Sequence, residues 1–148
     1  MRQSGRVHWM VAVAIALLVA IVVLIFFAGE SPAVAAGRFL LALQKRDVET
    51  LTELSYVPDG NTEAIRKDWD FTVNVANPNY RFVYRVLQVK ELGGDEAVAT
   101  VQMKRDAFSP AAYEENFQLP LVRKDGRWKV DVYNLSRKMY PALPRPRE

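Results

Sequence analysis

The sequence predicts an α+β protein in which an N-terminal transmembrane helix is followed by one domain of about three helices packed on an antiparallel sheet. Three observations lead to this prediction. An uncharged apolar run occupies residues 9–28, helical periodicity dominates residues 31–68, and strand alternation with hairpin turns dominates residues 80–135. The chain has 148 residues, which leaves room for a single domain after the apolar run. Helices that cover one face of the sheet complete the fold.

The apolar run is long enough to cross a membrane as a helix. Residues 9–28 contain no charged and no strongly polar side chain. At a rise of about 1.5 Å per residue, a helix of this length is about 30 Å long, which matches the hydrocarbon thickness of a bilayer. A helix on the surface of a water-soluble domain needs a polar stripe, and this run has none. The sequence therefore predicts residues 9–28 as a transmembrane helix.

The charges beside the apolar run predict its orientation. Arg2 and Arg6 precede the run, whereas Glu30 follows it closely. Cationic residues that flank a transmembrane helix stay on the cytoplasmic side. We therefore expect residues 1–8 to be cytoplasmic and the domain to face the periplasm or the cell exterior.

A cleaved signal peptide is the alternative interpretation of this leader. Ala33, Val34 and Ala35 supply an A-x-A cleavage pattern after a basic start. The apolar region of a signal peptide is only about 7–15 residues long, however. Cleavage after Ala35 would also cut into the first helix predicted for the domain. The sequence favours a retained anchor.

The composition excludes several classes of chemistry. The chain has no cysteine, so it cannot form a disulfide, a thiol nucleophile or a Cys-ligated zinc site. Its single histidine, His8, lies beside the start of the apolar run. The domain therefore lacks the imidazole that Ser-His-Asp triads and histidine metal sites require. We expect no metal and no cofactor. A net charge of only +3 argues against nucleic acid as a partner.

Three helices are predicted to open the domain. Ser31 and Pro32 are suited to the N-cap and first turn of the first helix. Asp47 is suited to the N-cap of the second helix, and a third helix is predicted from Thr62 to about Asp68. The side chains that the pattern places on buried helix faces are Ala36, Phe39, Leu40, Leu43, Val48, Leu51, Leu54 and Ile65.

Four strands are predicted to follow. Alternation of apolar with polar residues indicates a sheet that buries one face and leaves the other in water. Gly-containing turns at residues 93–95 and 124–126 are typical of hairpins. The predicted strands are residues 80–92, 97–105, 115–123 and 127–135.

Two segments resemble nuclear-transport-factor-2-like domains. Residues 39–51, FLLALQKRDVETL, resemble the family's opening pattern F-x-x-A-L-x-x-x-D-x-x-x-L. Residues 119–131, LPLVRKDGRWKVD, resemble its last hairpin, L-x-L-V-K-x-D-G-x-W-K-V. The resemblance is nearest to small membrane-anchored bacterial members of unknown or lumazine-binding-like description. The resemblance covers about residues 33–135 and implies a cone-shaped domain, which we expect at residues 31–135. Together with the charges beside the apolar run, it implies a bacterial inner membrane location. Arg46 departs from the family pattern, since a glycine commonly precedes the aspartate.

The resemblance carries no catalytic residue onto this chain. Enzymatic relatives use an acid or histidine base with a Tyr or Asp oxyanion donor, and no matching motif is present here. The acidic residues of the domain have simpler interpretations as helix caps, solvated helix ends or residues on the wet sheet face. Those considered are Asp47, Asp68, Asp70, Asp106 and Asp131.

Two sets of residues are candidate binding sites. Aromatic side chains suit the wall of a pocket for a flat organic ligand, although they equally suit a filled core; the set is Trp69, Tyr80, Phe82 and Tyr84. Cationic side chains on the wet sheet face are candidates for contact with a partner; the set is Arg81, Arg85, Lys104, Arg127 and Lys129.

Residues 136–148 are proline-rich and basic, so we expect an extended, mobile tail. The whole sequence favours a non-enzymatic, membrane-anchored binding or assembly module, such as an accessory or scaffold subunit. Its expected partners are other membrane proteins or a second copy of the chain. The alternatives are a pocket for a small apolar or lipidic ligand and, thirdly, a histidine-free isomerase or cyclase.

Overall fold

The structure, a computed structural model, describes residues 4–27, 29–105 and 112–147. Its helices are α1 (Ser4–Phe27), α2 (Pro32–Lys45), α3 (Val48–Leu54) and α4 (Thr62–Asp70). Its strands are β1 (Phe82–Gly93), β2 (Glu96–Arg105), β3 (Glu114–Lys124) and β4 (Arg127–Val130). The strands form one antiparallel sheet in the order β1-β2-β3-β4. The predicted α+β fold class is confirmed.

Helix α2 lies across the sheet and contacts all four strands. The Ser31 hydroxyl accepts the Val34 N–H at 3.3 Å and Pro32 occupies the first turn, as the sequence predicts. The face toward the sheet is apolar and buried, with Phe39 and Leu40 fully covered. This face builds the centre of the core.

A left-handed residue joins α2 to α3. Arg46 has a φ of 58°, a left-handed backbone conformation that glycine adopts without steric cost. A glycine at this position, as in the family pattern, would adopt this conformation without the steric cost of a Cβ atom. Asp47 then caps α3, accepting the N–H of Thr50 at 3.2 Å and its hydroxyl at 2.7 Å. The cap predicted at Asp47 is confirmed.

Helix α4 is longer than predicted and continues into a π-helical turn, Phe71–Ala76. The hydroxyl of Thr72 donates toward two carbonyls, those of Asp68 at 2.8 Å and Ala142 at 2.7 Å. Side-chain contacts with a distant part of the chain therefore accompany the wide turn. The sequence pattern predicted the end of this helix at about Asp68, two residues before its observed end at Asp70. The pattern depends only on near neighbours and does not register the distant contacts.

The sheet has the predicted alternation of buried and exposed side chains. Its buried face includes Ala99 and Val101 of β2, Leu119 of β3 and Trp128 of β4. A bulge at Leu87 shifts the pairing of β1 with β2. Strand β4 ends at Val130 rather than near residue 135, because residues 132–134 form a short 3-10 turn.

The C-terminal segment is packed, so the predicted extended, mobile tail is wrong. Met139, Tyr140 and Leu143 are buried in the same core as the helices and the sheet. The Arg137 guanidinium donates to the carbonyls of Leu143 and Pro144, both at 2.9 Å, which folds the segment back on itself. The segment packs on the domain because burial of its apolar side chains is favourable, although most of its residues are polar, charged or proline.

The apolar surface of α1 is left uncovered by the domain. The helix is long and apolar enough between Val7 and Leu24 to cross a membrane, and none of that stretch is buried by the rest of the chain. Gly29, in a left-handed conformation with φ of 64°, follows α1 before α2 begins. The connection between α1 and the domain is thus very short.

Candidate functional site

An aromatic cluster fills the interior between β1 and the C-terminal segment. Tyr80, Phe82 and Tyr84 share one face, with ring centroids 6.2 Å and 6.3 Å apart along the row. Tyr140 closes the row edge to face, 4.7 Å from Tyr80 and 6.0 Å from Phe82. The three predicted aromatic residues at the start of the sheet are therefore together, and Tyr140 of the C-terminal segment packs on two of them.

Trp69 lies apart from this row and is fully buried. Its indole N–H donates to the Ser55 hydroxyl at 2.8 Å, and its ring packs edge to face on Phe39 at 5.7 Å. The Ser55 hydroxyl in turn donates to the Leu51 carbonyl at 2.6 Å. These contacts satisfy the polar atom of Trp69 inside the core. No surface groove described below is lined by Trp69 or the aromatic row, so their role as ligand contacts stays a prediction.

Two tyrosine hydroxyls in the cluster are buried without a hydrogen-bond partner among the residues that the structure describes. They belong to Tyr80 and Tyr140. Burial raises the pKa of Tyr140 to about 12 and also raises the pKa of Tyr80, because the phenolate form loses its hydration there. Both side chains are therefore neutral near pH 7.

The acidic candidates are engaged in local contacts. Thr50 donates two hydrogen bonds to Asp47 and holds the pKa of that carboxyl below its usual value. Asp70 accepts the Asn74 amide at 2.8 Å, and Asp131 accepts the Asn134 amide at 2.7 Å. These contacts support the simpler interpretations as caps and solvated ends.

Asp68 has a less local partner. Its carboxylate accepts the Arg147 guanidinium at 3.0 Å, which ties the C-terminal segment to α4. Arg147 also donates to the carbonyl of Ala64 at 3.3 Å. Asp68 thus fastens the C-terminal segment to the domain. Asp106 lies outside the described residues.

The five cationic candidates share the outer sheet face but occupy two opposite corners. Lys104 pairs with Val83 of β1, which lies between Arg85 on the same strand and Arg81 just before it. Lys129 pairs with Val122, which pairs with Glu96 at the other end of β2. Eight residues of strand separate Lys104 from Glu96, or about 26 Å at 3.3 Å per residue. The single basic face expected from the sequence is therefore two separate patches.

The distal patch consists of Arg81, Arg85 and Lys104. Arg85 donates to the Gln102 side chain at 2.9 Å, and Lys104 lies opposite Glu114 in the sheet. Val83, at the centre of the patch, is 46% exposed. This corner offers an apolar side chain surrounded by cations.

The proximal patch consists of Arg127 and Lys129, which lie between two surface grooves. One groove, of about 450 Å³, runs between the end of α3 and the β3–β4 turn and is also lined by Lys124 and Asp125. The other, of about 390 Å³, reaches from these two cations to Gly29 at the end of α1. The proximal patch therefore lies at the junction between α1 and the domain.

The architecture matches solved structures although the sequence does not match known families. No family model matches the chain, and no curated protein matches it. A structure from Thiobacillus denitrificans, assigned as a calcium/calmodulin-dependent protein kinase type II association domain, aligns with a TM-score of 0.51 and 13% identity. The alignment covers 69% of this chain and 90% of that one. The domain has the nuclear-transport-factor-2-like fold.

Two further solved structures align less closely with this nuclear-transport-factor-2-like domain. One is a nuclear-transport-factor-2-like protein of unknown function from Shewanella oneidensis, with a TM-score of 0.48, 10% identity and coverage of 65% and 88% of the two chains. The other is a ketosteroid isomerase-like protein from Erwinia carotovora atroseptica, with a TM-score of 0.44, 15% identity and coverage of 65% and 85%. At these identities the likeness concerns the fold alone.

The sequence interpretation missed the residues that close the interior. Tyr140, Arg137 and Arg147 hold the C-terminal segment on the domain, yet none was singled out. A signal was present in the neighbouring Met139 and in Leu143, which are large apolar residues that a freely solvated tail has no reason to carry.

Proposed function

We propose that this chain is a membrane-anchored, non-enzymatic binding or assembly module whose domain lies outside the cytoplasm. The observation that carries the proposal is the bare apolar surface of α1. Trp9, Leu18 and Leu24 are each more than 60% exposed, and no part of the stretch from Val7 to Leu24 is buried. Apolar surface of this extent is stabilised by removal from water, and a bilayer removes it.

The packing of the domain favours a retained anchor over a cleaved leader. Ala35 of α2 is fully buried, and Pro32 in the first turn of the same helix is also buried. Cleavage after Ala35 would remove both residues together with the Ser31 cap. The domain would lose part of its core and a helix cap that contributes about 1 kcal/mol.

The orientation of the proposal rests on the sequence flanking α1. Arg2 and Arg6 precede the helix and Glu30 follows it. This distribution supports an N-terminus in the cytoplasm and a domain on the other side of the membrane.

The filled interior supports recognition at the surface rather than chemistry in a pocket. Catalysis needs an acid, base or donor within hydrogen-bond reach of a substrate. In the described interior Phe82, Tyr140 and Trp69 pack against protein, and Asp68 and Asp70 are hydrogen-bonded at the surface. Substrate access would require displacement of the C-terminal segment.

The distal patch is the surface that we assign to the partner. Arg81, Arg85 and Lys104 surround the exposed Val83, which suits an acidic protein segment with an apolar side chain at its centre. Opposite charges steer such a partner and select it against others. Two copies related by a two-fold axis at this patch would bring like charges together. A different membrane protein therefore fits better than a second copy.

Copurification tests this function. The full chain is purified in mild detergent from its native cells, and the proteins that accompany it are quantified by mass spectrometry. Arg81→Glu with Arg85→Glu should reduce a specific partner at least tenfold, because the variant replaces attraction with repulsion.

The matched control is Lys67→Glu with Lys90→Glu, which makes the same change in net charge at exposed positions. Lys67 lies on α4, and Lys90 lies five residues beyond Arg85 along β1, or about 16 Å at 3.3 Å per residue. The control should retain the partner. Equal recovery of every accompanying protein with the wild type, the distal variant and the control would contradict the proposed role of the patch.

A second candidate function is the binding of a small apolar ligand inside the cone. The unpartnered hydroxyls of Tyr80 and Tyr140 favour it, since a ligand with one polar end could satisfy them. Native mass spectrometry of the purified chain tests this candidate. A reproducible bound mass that is lost in Tyr80→Phe with Tyr140→Phe would support it, and a spectrum of the unliganded chain alone would count against it.

A further inference from the structure

The β3–β4 turn lies at the base of the apolar helix. Gly29, two residues after the end of α1, lines the groove of about 390 Å³ together with Gly126, Arg127 and Lys129 of the turn and β4. A residue so close to the end of a transmembrane helix lies at the depth of the lipid headgroups. The side chains that share its groove then lie at that depth as well.

The cations of this groove differ in how they are engaged. Arg38 donates to Glu30 at 2.8 Å and approaches Glu53 at 3.9 Å, so it forms ion pairs with both carboxylates of the groove. Arg127 and Lys129 form no ion pair with any residue that the structure describes. They are the two charges of the groove left available to an outside anion.

The neighbouring groove adds to this positive character. Arg127 and Lys129 also line the groove of about 450 Å³, where Lys124 joins them opposite Glu53 and Asp125. Cations outnumber carboxylates by three to two in each groove. The Lys124 ammonium group lies over the ring of Tyr56, 5.5 Å from its centroid, and both residues line this groove.

We propose that Arg127 and Lys129 bind the headgroup phosphate of an anionic phospholipid in the leaflet at which α1 leaves the membrane. The inference rests on the proposed anchoring of the chain by α1. The surface of an anionic leaflet is negative, and it attracts cationic side chains within about a Debye length. The groove that these two side chains share with Gly29 brings them close to that surface.

Headgroup binding at this turn has a structural consequence for the rest of the domain. Helix α1 alone fixes one point of the domain at the membrane and leaves it free to rotate. A second contact at Arg127 and Lys129 fixes its orientation. The distal patch, at the opposite end of the strands, is then directed away from the bilayer and toward a partner.

Hydrogen exchange in lipid nanodiscs tests the proposal on the full chain. Two preparations are compared, one of phosphatidylcholine alone and one with phosphatidylglycerol as about a third of the lipid. We expect peptides covering residues 123–130 to exchange at least threefold more slowly in the anionic discs at low salt. The difference should disappear at high salt, because ions screen the attraction.

Two variants of equal charge change complete the test. Arg127→Glu with Lys129→Glu should abolish the difference between the two lipids, whereas Lys45→Glu with Lys67→Glu should retain it. Equal exchange in the two lipids for the wild type, or a difference that survives in the Arg127 and Lys129 variant, would overturn the proposal.

The same samples distinguish this inference from the function on which it rests. A chain that copurifies with the discs but exchanges equally in both lipids is anchored without binding headgroups, so only the inference fails. A chain that separates from the discs is not anchored, so the proposed function fails with it.

Discussion

The rings of Tyr80 and Tyr140 meet edge to face with their centroids 4.7 Å apart, although 60 residues of chain separate them. Tyr80 leads into the first strand of the sheet, and Tyr140 comes from the C-terminal segment. The contact makes that segment part of the hydrophobic core. It also fills the space in which a cone-shaped fold could hold a ligand.

Loss of the Tyr140 ring should therefore destabilise the whole domain. The side chain is 1% exposed and packs on Tyr80 and Phe82. Tyr140→Ala should lower the free energy of unfolding by about 3–5 kcal/mol, as is usual when a buried aromatic ring is removed. Urea unfolding of the full chain in detergent measures this quantity. Lys138→Ala, two residues away and exposed, should change it by less than about 0.5 kcal/mol. Similar values for the two variants would show that the segment is not packed.

The same residue should make the domain sensitive to alkali. The folded state raises the pKa of Tyr140 to about 12, whereas the unfolded chain has the usual value of about 10. Below pH 10 both states hold the proton, and the stabilising effect is complete. Between pH 10 and 12 the unfolded state loses its proton first, so up to about 3 kcal/mol of stability is lost.

Tyr140→Phe isolates this effect, because it keeps the ring and removes the titrating group. Near pH 7 the variant should be as stable as the wild type or slightly more so, since the buried hydroxyl has no partner among the described residues. Urea unfolding at pH 7, 10 and 11.5 should give a smaller loss for the variant than for the wild type. Parallel curves would indicate that Tyr140 is solvated in the folded state.

Arg46 offers a test of backbone strain at the corner between α2 and α3. Its φ of 58° is costly for a residue with a Cβ atom and free of cost for glycine. Arg46→Gly and Arg46→Ala both remove the guanidinium contact with the Pro78 carbonyl, so they form a matched pair. The glycine variant should be the more stable by about 1 kcal/mol. Equal unfolding free energies would show that the corner relaxes to another conformation.

The faces of the helices and strands could be predicted from the sequence because burial follows local periodicity. Phe39 and Leu40 repeat with the helical turn, and Ala99 and Val101 alternate with polar residues along β2. Helix capping is equally local, which explains why the N-cap at Ser31 could be predicted from the sequence. Each of these features depends on neighbours within a few residues.

The C-terminal segment could not be predicted in this way, because its partners are remote in sequence. Asn77 donates to the Pro141 carbonyl at 2.9 Å, and Thr72 donates to that of Ala142 at 2.7 Å. Proline-rich composition is typical of solvated tails, and nothing local to the segment identifies the surface that receives it. The same limit explains the wide turn after α4.

The division of the basic residues into two patches also required the strand register. Lys104 and Lys129 both alternate onto the outer face, as expected, yet pairing through β3 places them at opposite ends of the sheet. Alternation determines the face of a residue, whereas register determines its neighbours. The cationic residues therefore lie on the expected face but in two patches rather than one, and their contact with a partner stays a prediction.

The location of a C-terminal reporter tests the central claim of a retained anchor with an external domain. A reporter enzyme that is active only outside the cytoplasm is fused after Glu148, and its activity is measured in alkali-washed membranes and in the soluble fractions. We predict that the activity remains in the washed membranes, because α1 spans the bilayer and is not removed. Activity released into the soluble periplasmic fraction, or a fusion without activity, would contradict the account.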